Sequence, residues 1–109
     1  MITVTITRNR EDMTAFEISG HAESGPYGYD LVCAAVSAVS FGTVNAIDRL
    51  FHVQMHIEQG EEGGYLSVQI PHISNREKHK HVQTLLEGML VSLQTIERDY
   101  NQFIQIKTT

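Results

Sequence analysis

The chain has one cysteine, two prolines and no tryptophan among its 109 residues, and each scarcity removes a class of answer. A single thiol excludes an intrachain disulfide, and with no evident leader it points to a reducing compartment, the cytosol. With two prolines, eight glycines and no biased tract, nothing reads as a linker, a repeat or a disordered arm. Positive charge is scarce as well. Eight Lys and Arg against thirteen Asp and Glu leave a net charge of −5, which argues against nucleic acid as a direct partner. Long apolar runs are missing: the longest quiet stretch, Leu31 to Val39, is about half of what a bilayer crossing needs, so no membrane role is expected.

What remains is an ordinary globular composition, 41% hydrophobic and 19% charged, of a length that makes one domain over 1–109. The N-terminus alternates threonine with Ile2, Val4 and Ile6, which reads as a strand rather than a signal peptide. A charged turn, Arg8 to Asp12, leads to a second strand, Met13 to Ser19, with Phe16 and Ile18 on one face. This is an antiparallel hairpin. A glycine-rich loop from Gly20 to Tyr29 follows, then Asp30 as N-cap of a helix running to about Phe51. Val32, Val36, Val39, Thr43, Ile47 and Leu50 keep helical spacing along it.

The second half repeats the theme. Val53, Met55 and Ile57 alternate, Gln59 to Gly64 make an acidic turn, and Leu66, Val68 and Ile70 alternate again before Pro71. Ser74 or Asn75 caps a long helix whose Val82, Leu85, Leu86, Met89, Leu90, Leu93 and Ile96 form the clearest stripe in the chain. A final strand spans Phe103 to Lys107. The order ββαββαβ, with five mostly antiparallel strands, predicts an α+β domain with both helices on one sheet face.

Chemistry concentrates between Gly20 and Ser37. With Asp30 as N-cap, Cys33 falls at the third helical position, where the helix dipole and unpaired amides favour a thiolate and can hold an oxyanion. His21 directly follows a strand end, and the eleven residues between it and Cys33 can fold back to bring imidazole to thiol. Asp30 has two readings, helix cap or orienter of His21, and spacing favours the cap. The bland alternatives stand beside these: a lone cysteine among valines and alanines is commonly a small core residue, and a lone histidine a loop residue.

Gly20-His21-Ala22, the spacer ending Gly28-Tyr29-Asp30, and Leu31-Val32-Cys33-Ala34-Ala35-Val36-Ser37 together resemble the signature of the ribosomal-processing cysteine protease family, Prp. The likeness runs the length of the chain. It implies a bacterial cytosolic thiol protease that removes a short N-terminal extension from large-subunit ribosomal protein twenty-seven. Cys33 would be the nucleophile and His21 the general base. Gly20, Asp30 and Ser37 fall on the other fixed positions of the pattern. The resemblance further implies a homodimer and a loop between histidine and cysteine that acts as a mobile lid. Tyr27 and Tyr29, placed in that loop, are candidates to pack against an aromatic substrate residue, with plain loop packing as the alternative.

Other signals are weaker. His52 and His56 sit four apart on an expected strand, too far to share one ion, and His79 and His81 fall on different sides of a helix, so neither a metal nor another cofactor is expected. Arg76 to His81 reads as a solvated helical turn, with a small RNA-binding patch as its rival. A non-catalytic, ribosome-associated binding module is the alternative function on that reading.

Overall fold

A computed structural model describes residues 1–20, 27–61 and 64–109; side-chain surroundings within the first helix are described from Leu31 onward. Two hairpins, two long helices and a closing strand follow the expected order: β1 (Ile2–Asn9), β2 (Asp12–Ser19), α1 (Tyr27–Phe51), β3 (His56–Gln59), β4 (Tyr65–Gln69), α2 (Arg76–Asp99) and β5 (Ile104–Thr108). The strands form one sheet in the order β3-β4-β2-β1-β5. Three pairings are antiparallel; β5 returns after α2 to lie parallel to β1, with Ile2 opposite Ile104.

Alternation sets the sheet's two faces. Ile2, Val4 and Ile6 are buried on one side while Thr3, Thr5 and Thr7 face outward. Both helices lie on the buried side: Val32, Val36, Val44 and Ile47 of α1 join Val82, Leu86, Met89, Leu90 and Leu93 of α2 in one core with the strands.

The first hairpin turn is tighter than the charge run predicts. Arg8, Asn9 and Asp12 belong to the ladder, and only Arg10 and Glu11 turn, with Arg10 in the left-handed region (φ 60°). A bulge follows. Thr7 pairs with Ala15 but Arg8 pairs with Met13, so Thr14 is the extra residue. That one-residue slip moves Met13 onto the same face as Phe16, and both are buried. The side-chain amide of Gln83 on α2 fixes this point: it accepts from the Met13 amide at 2.8 Å and donates to the Met13 carbonyl at 2.9 Å.

Four expectations need correction. The helix begins at Tyr27, one turn earlier than an Asp30 cap allows, so Asp30 is an interior residue and Tyr27 and Tyr29 are helical rather than in a loop. The stripe on α1 runs Val32, Val36, Ser40, Val44, Ile47; Leu50 is 62% exposed. Ser40 can lie in the core because its hydroxyl donates to the Val36 carbonyl at 2.6 Å. The strand β3 starts only at His56, since Val53 and Met55 point into the core from the preceding connection and His52 (φ 56°) ends the helix. Finally, the apolar stretch of α1 is longer than Leu31 to Val39: Leu31–Phe51 has the length and composition to cross a membrane. The burial of its stripe against α2 and the sheet gives the reason for part of that apolarity.

On α2, Asn75 rather than Ser74 is the cap, its Oδ1 accepting from the Lys78 amide at 3.0 Å. The predicted stripe holds in full, with Leu85 and Ile96 packed at its margin.

Candidate active site

The groove that holds Cys33 is made where three elements meet. One wall is the face of α1 formed by Cys33, Val36, Ser37, Ser40 and Phe41, residues spaced three and four apart. The floor and opposite wall come from strand residues Ile2, Ile18 and Leu66, and the rim from Gly20, Tyr65 and the β3–β4 turn at Gln59, Gly60 and Gly64. Its volume is about 360 Å³ and its lining is mostly apolar. Cys33 is half-buried there, packed against the core margin, so its thiol is neither sealed in nor freely solvated.

Gly20 is at the groove's edge for a reason the chain makes plain. Its φ of 138° is one that residues with a Cβ rarely adopt, and a Cβ there would meet the Met1 carbonyl oxygen at 2.5 Å and the Ile2 Cα at 2.9 Å. Its amide donates to the Gly64 carbonyl at 2.9 Å, tying the end of β2 to the start of β4. The residue after this anchored position is His21, which lies outside the described residues, as does the rest of the expected lid up to Pro26.

Cys33 is the seventh residue of α1, about 9 Å along the axis from its start. At that depth its own amide is taken up within the helix, and the dipole's effect, concentrated in the first turn, is weakened. First-turn amides of α1 therefore do not surround Cys33 as an oxyanion hole, contrary to the expectation from an Asp30 cap. Asp30, one turn before the thiol, is not the helix cap; its side chain, like those of Tyr27 and Tyr29, lies outside the described surroundings. Ser37, one turn after Cys33, lines the groove as its spacing requires.

Three of the other histidines have partners elsewhere, His56 among them with its Nε2 3.6 Å from Glu58 Oε1. His79 Nε2 is 3.0 Å from Asp12 Oδ2, and His81 stacks on Phe51 with ring centroids 5.3 Å apart. A larger cleft of about 530 Å³, around Asp12, His72, Arg76 and His79, lies beside the first-hairpin turn and contains no thiol.

A family model described as "Cysteine protease Prp" matches residues 1–105. The chain belongs to the cysteine protease Prp family. It is 43% identical over 109 residues to the ribosomal processing cysteine protease Prp of Bacillus subtilis (strain 168), covering 99% of this chain and 97% of that one. Among solved structures it resembles the Prp protease of S. aureus in complex with a substrate peptide (TM-score 0.88, 41% identity, all of both chains). It also resembles the S. aureus Prp protease with a covalently linked product peptide (TM-score 0.85, 44% identity, all of both chains). Membership in Prp makes this chain a cysteine protease and removes the non-catalytic binding module as its function. The Prp signature read in the sequence covers Gly20 and Cys33, and the structure adds what the signature did not reveal. Phe41, Tyr65, Ile18 and the β3–β4 turn share the groove with the thiol. The i+8 spacing of Phe41 from Cys33 was the available signal for one of them.

Proposed function

We propose that the protein is a cytoplasmic endopeptidase that removes the short N-terminal extension of large-subunit ribosomal protein twenty-seven, with Cys33 as nucleophile and His21 as general base. One observation carries the reading. The chain's only cysteine lines an apolar groove whose edge is Gly20, the residue directly before His21. A cysteine protease needs a thiolate, and this sequence offers one candidate for it. Of the six histidines, the five other than His21 line no part of that groove. The names of the relatives, ribosomal processing proteases, support the substrate class.

In this mechanism His21 takes the Cys33 proton and the thiolate attacks the scissile carbonyl carbon. Collapse of the tetrahedral intermediate breaks the C–N bond, and His21 returns its proton to the leaving amine. Water, deprotonated by His21, then hydrolyses the thioester and restores the thiol. On this reading Ser37, which lines the same groove, and Asp30, one helical turn before Cys33, are supporting groups, and Tyr27 and Tyr29 pack against an aromatic substrate residue. The protein acts as a homodimer on this reading, and Leu31, Leu50 and Val91, each more than half exposed, are apolar surface that such pairing can cover.

The test is incubation with the full-length precursor followed by mass spectrometry. Wild type is expected to shed the extension, and Cys33→Ala and His21→Ala to leave the precursor intact. An uncleaved precursor with wild type, or cleavage that survives Cys33→Ala, would overturn the proposal.

A further inference from the structure

Charge is not spread evenly over this acidic chain. Five of its eight Lys and Arg residues, Arg10, Arg49, Arg76, Lys78 and Lys80, sit where the β1–β2 turn, the end of α1 and the start of α2 meet. Contacts tie that end together: His79 Nε2 lies 3.0 Å from Asp12 Oδ2, Gln83 clasps Met13, and His81 stacks on Phe51. Only four carboxylates accompany them, Glu11, Asp12, Asp48 and Glu77, so this pole is net positive by one. The remainder, with three cations against nine carboxylates, stands at −6. Four of the six histidines, His52, His72, His79 and His81, add their imidazoles to the positive pole. The net charge that argues against nucleic acid is thus an average over two unlike ends.

Two clefts flank the segment from Pro71 to Ser74, which lines both. The one of about 530 Å³ presents Arg76, His72 and His79, and the one of about 300 Å³ presents Lys78, His52 and His72. Among the described residues Asp12 is the one carboxylate lining either cleft, and it is the partner of His79. An imidazole keeps at least one N–H donor in either protonation state, so all three suit phosphate oxygens. Next to His52, the exposed His81 ring lies within 6° of parallel to Phe51, and a further flat ring can continue that stack. Cationic and N–H donors along grooves, beside a stacking platform, are what a sugar–phosphate backbone with an unstacked base requires. An acidic peptide would use the cations and leave the rings idle.

We infer that this pole is an RNA-docking surface: the clefts around Pro71–Ser74 take phosphates of a single-stranded or looped RNA, and His81 stacks one of its bases. Phe51 follows Cys33 by eighteen residues of α1, about 27 Å along the axis, so a docked RNA leaves the thiol groove open. The acidic remainder repels phosphate and so orients the RNA toward this end. The inference is independent of the roles proposed for Cys33 and His21.

The experiment measures binding by fluorescence anisotropy to a labelled single-stranded RNA of mixed sequence, about 20 nucleotides long, and to labelled polyglutamate of similar length. Wild type is expected to bind the RNA and to lose about 20- to 100-fold in affinity between about 50 and 200 mM salt, the range for three to five neutralised phosphates. The Arg76→Glu, Lys80→Glu double variant should weaken binding about tenfold or more. Arg98→Glu with Lys107→Glu changes the net charge equally, away from the pole, and should stay within about threefold of wild type. His81→Ala should cost about fivefold or more with RNA and nothing with polyglutamate. A second readout uses wild type alone: added RNA should move the imidazole NMR signals of His72, His79 and His81 and leave that of His56 in place. No RNA binding at about 50 mM salt overturns the inference, as does equal weakening by the two double variants. Polyglutamate bound as tightly as RNA, with His81→Ala indifferent, overturns it in favour of an acidic protein partner. NMR shifts at His56 without shifts at the pole overturn it as well.

Discussion

Gly20 shows how a single residue can be fixed by its neighbours' backbone. Its positive φ and the 2.5 Å approach of the Met1 carbonyl leave no room for a Cβ, so Gly20→Ala must push either β1 or β2 out of register at the groove's edge. We expect that variant to lose about 1–3 kcal/mol in urea denaturation, the range for an imposed backbone outlier. Cleavage should fall further than stability alone explains, because the displaced residue carries His21. Wild-type stability for Gly20→Ala would contradict the geometry. The Arg8–Glu87 pair is weaker but informative about pH. Two charge-assisted bonds, 2.6 and 2.8 Å long, link β1 to α2. The hydrogen bonds from Arg8 hold the Glu87 carboxyl below the usual carboxylate range, with the guanidinium's charge adding to them and desolvation opposing. A carboxyl whose pKa is lower folded than unfolded stabilises the fold above its unfolded value, about 4.3, and that stabilisation is lost as pH falls through the lowered value. With the side chains 24% and 43% exposed, solvent screening keeps the contribution below about 1 kcal/mol. Glu87→Gln should accordingly reduce stability at pH 7 and flatten its acid dependence below pH 4.3, read from denaturation midpoints across that range.

Among the elements, α2 is the clamp. Its Gln83 holds the bulge at Met13, and its Glu97 accepts from the Ile106 amide at 2.7 Å, so one helix fixes the two strands that flank β1. Gln83→Ala leaves both polar groups of Met13 without their partner on α2 and is expected to cost about 1–3 kcal/mol by thermal or denaturant unfolding. An unaltered midpoint would mean that water replaces the amide fully. The element order, the α2 stripe and both hairpins were legible in the sequence because alternation and helical period are strong signals over eight or more residues. The bulge was not, since Thr14 looks like any other strand threonine and the slip is visible only once Met13 is found beside Phe16. The start of α1 was misplaced because Asp30 is a good cap by type, yet Tyr27, Gly28 and Tyr29 are already helical. Ser40 does not read as a core position from sequence, because its hydroxyl is polar and its bond to the Val36 carbonyl shows only in the folded helix. The site was legible as a motif around His21 and Cys33. Its groove was not, because Ile2, Ile18, Phe41 and Tyr65 come from four separate elements that only the sheet order brings together.

On the scale of the molecule, the fold places one end of β2, the second turn of α1 and the β3–β4 turn around a single apolar groove, and puts the only thiol in its wall. The sheet's outward face of threonines and the helices' buried stripes account for the scaffold; the groove is the proposed seat of the activity. Since Cys33 sits beyond the first turn of α1, the helix dipole by itself is a weak activator, and the account depends on an imidazole at the thiol. The measurement that tests this most directly is the pH dependence of Cys33 alkylation by iodoacetamide, followed by intact mass in wild type and His21→Ala. In wild type the reactive thiolate should persist well below pH 8.5, the ordinary value for a cysteine, because an imidazolium beside it favours the charged form. In His21→Ala the profile should move up to that of an ordinary thiol. Superimposable profiles would contradict the pairing of Cys33 with His21.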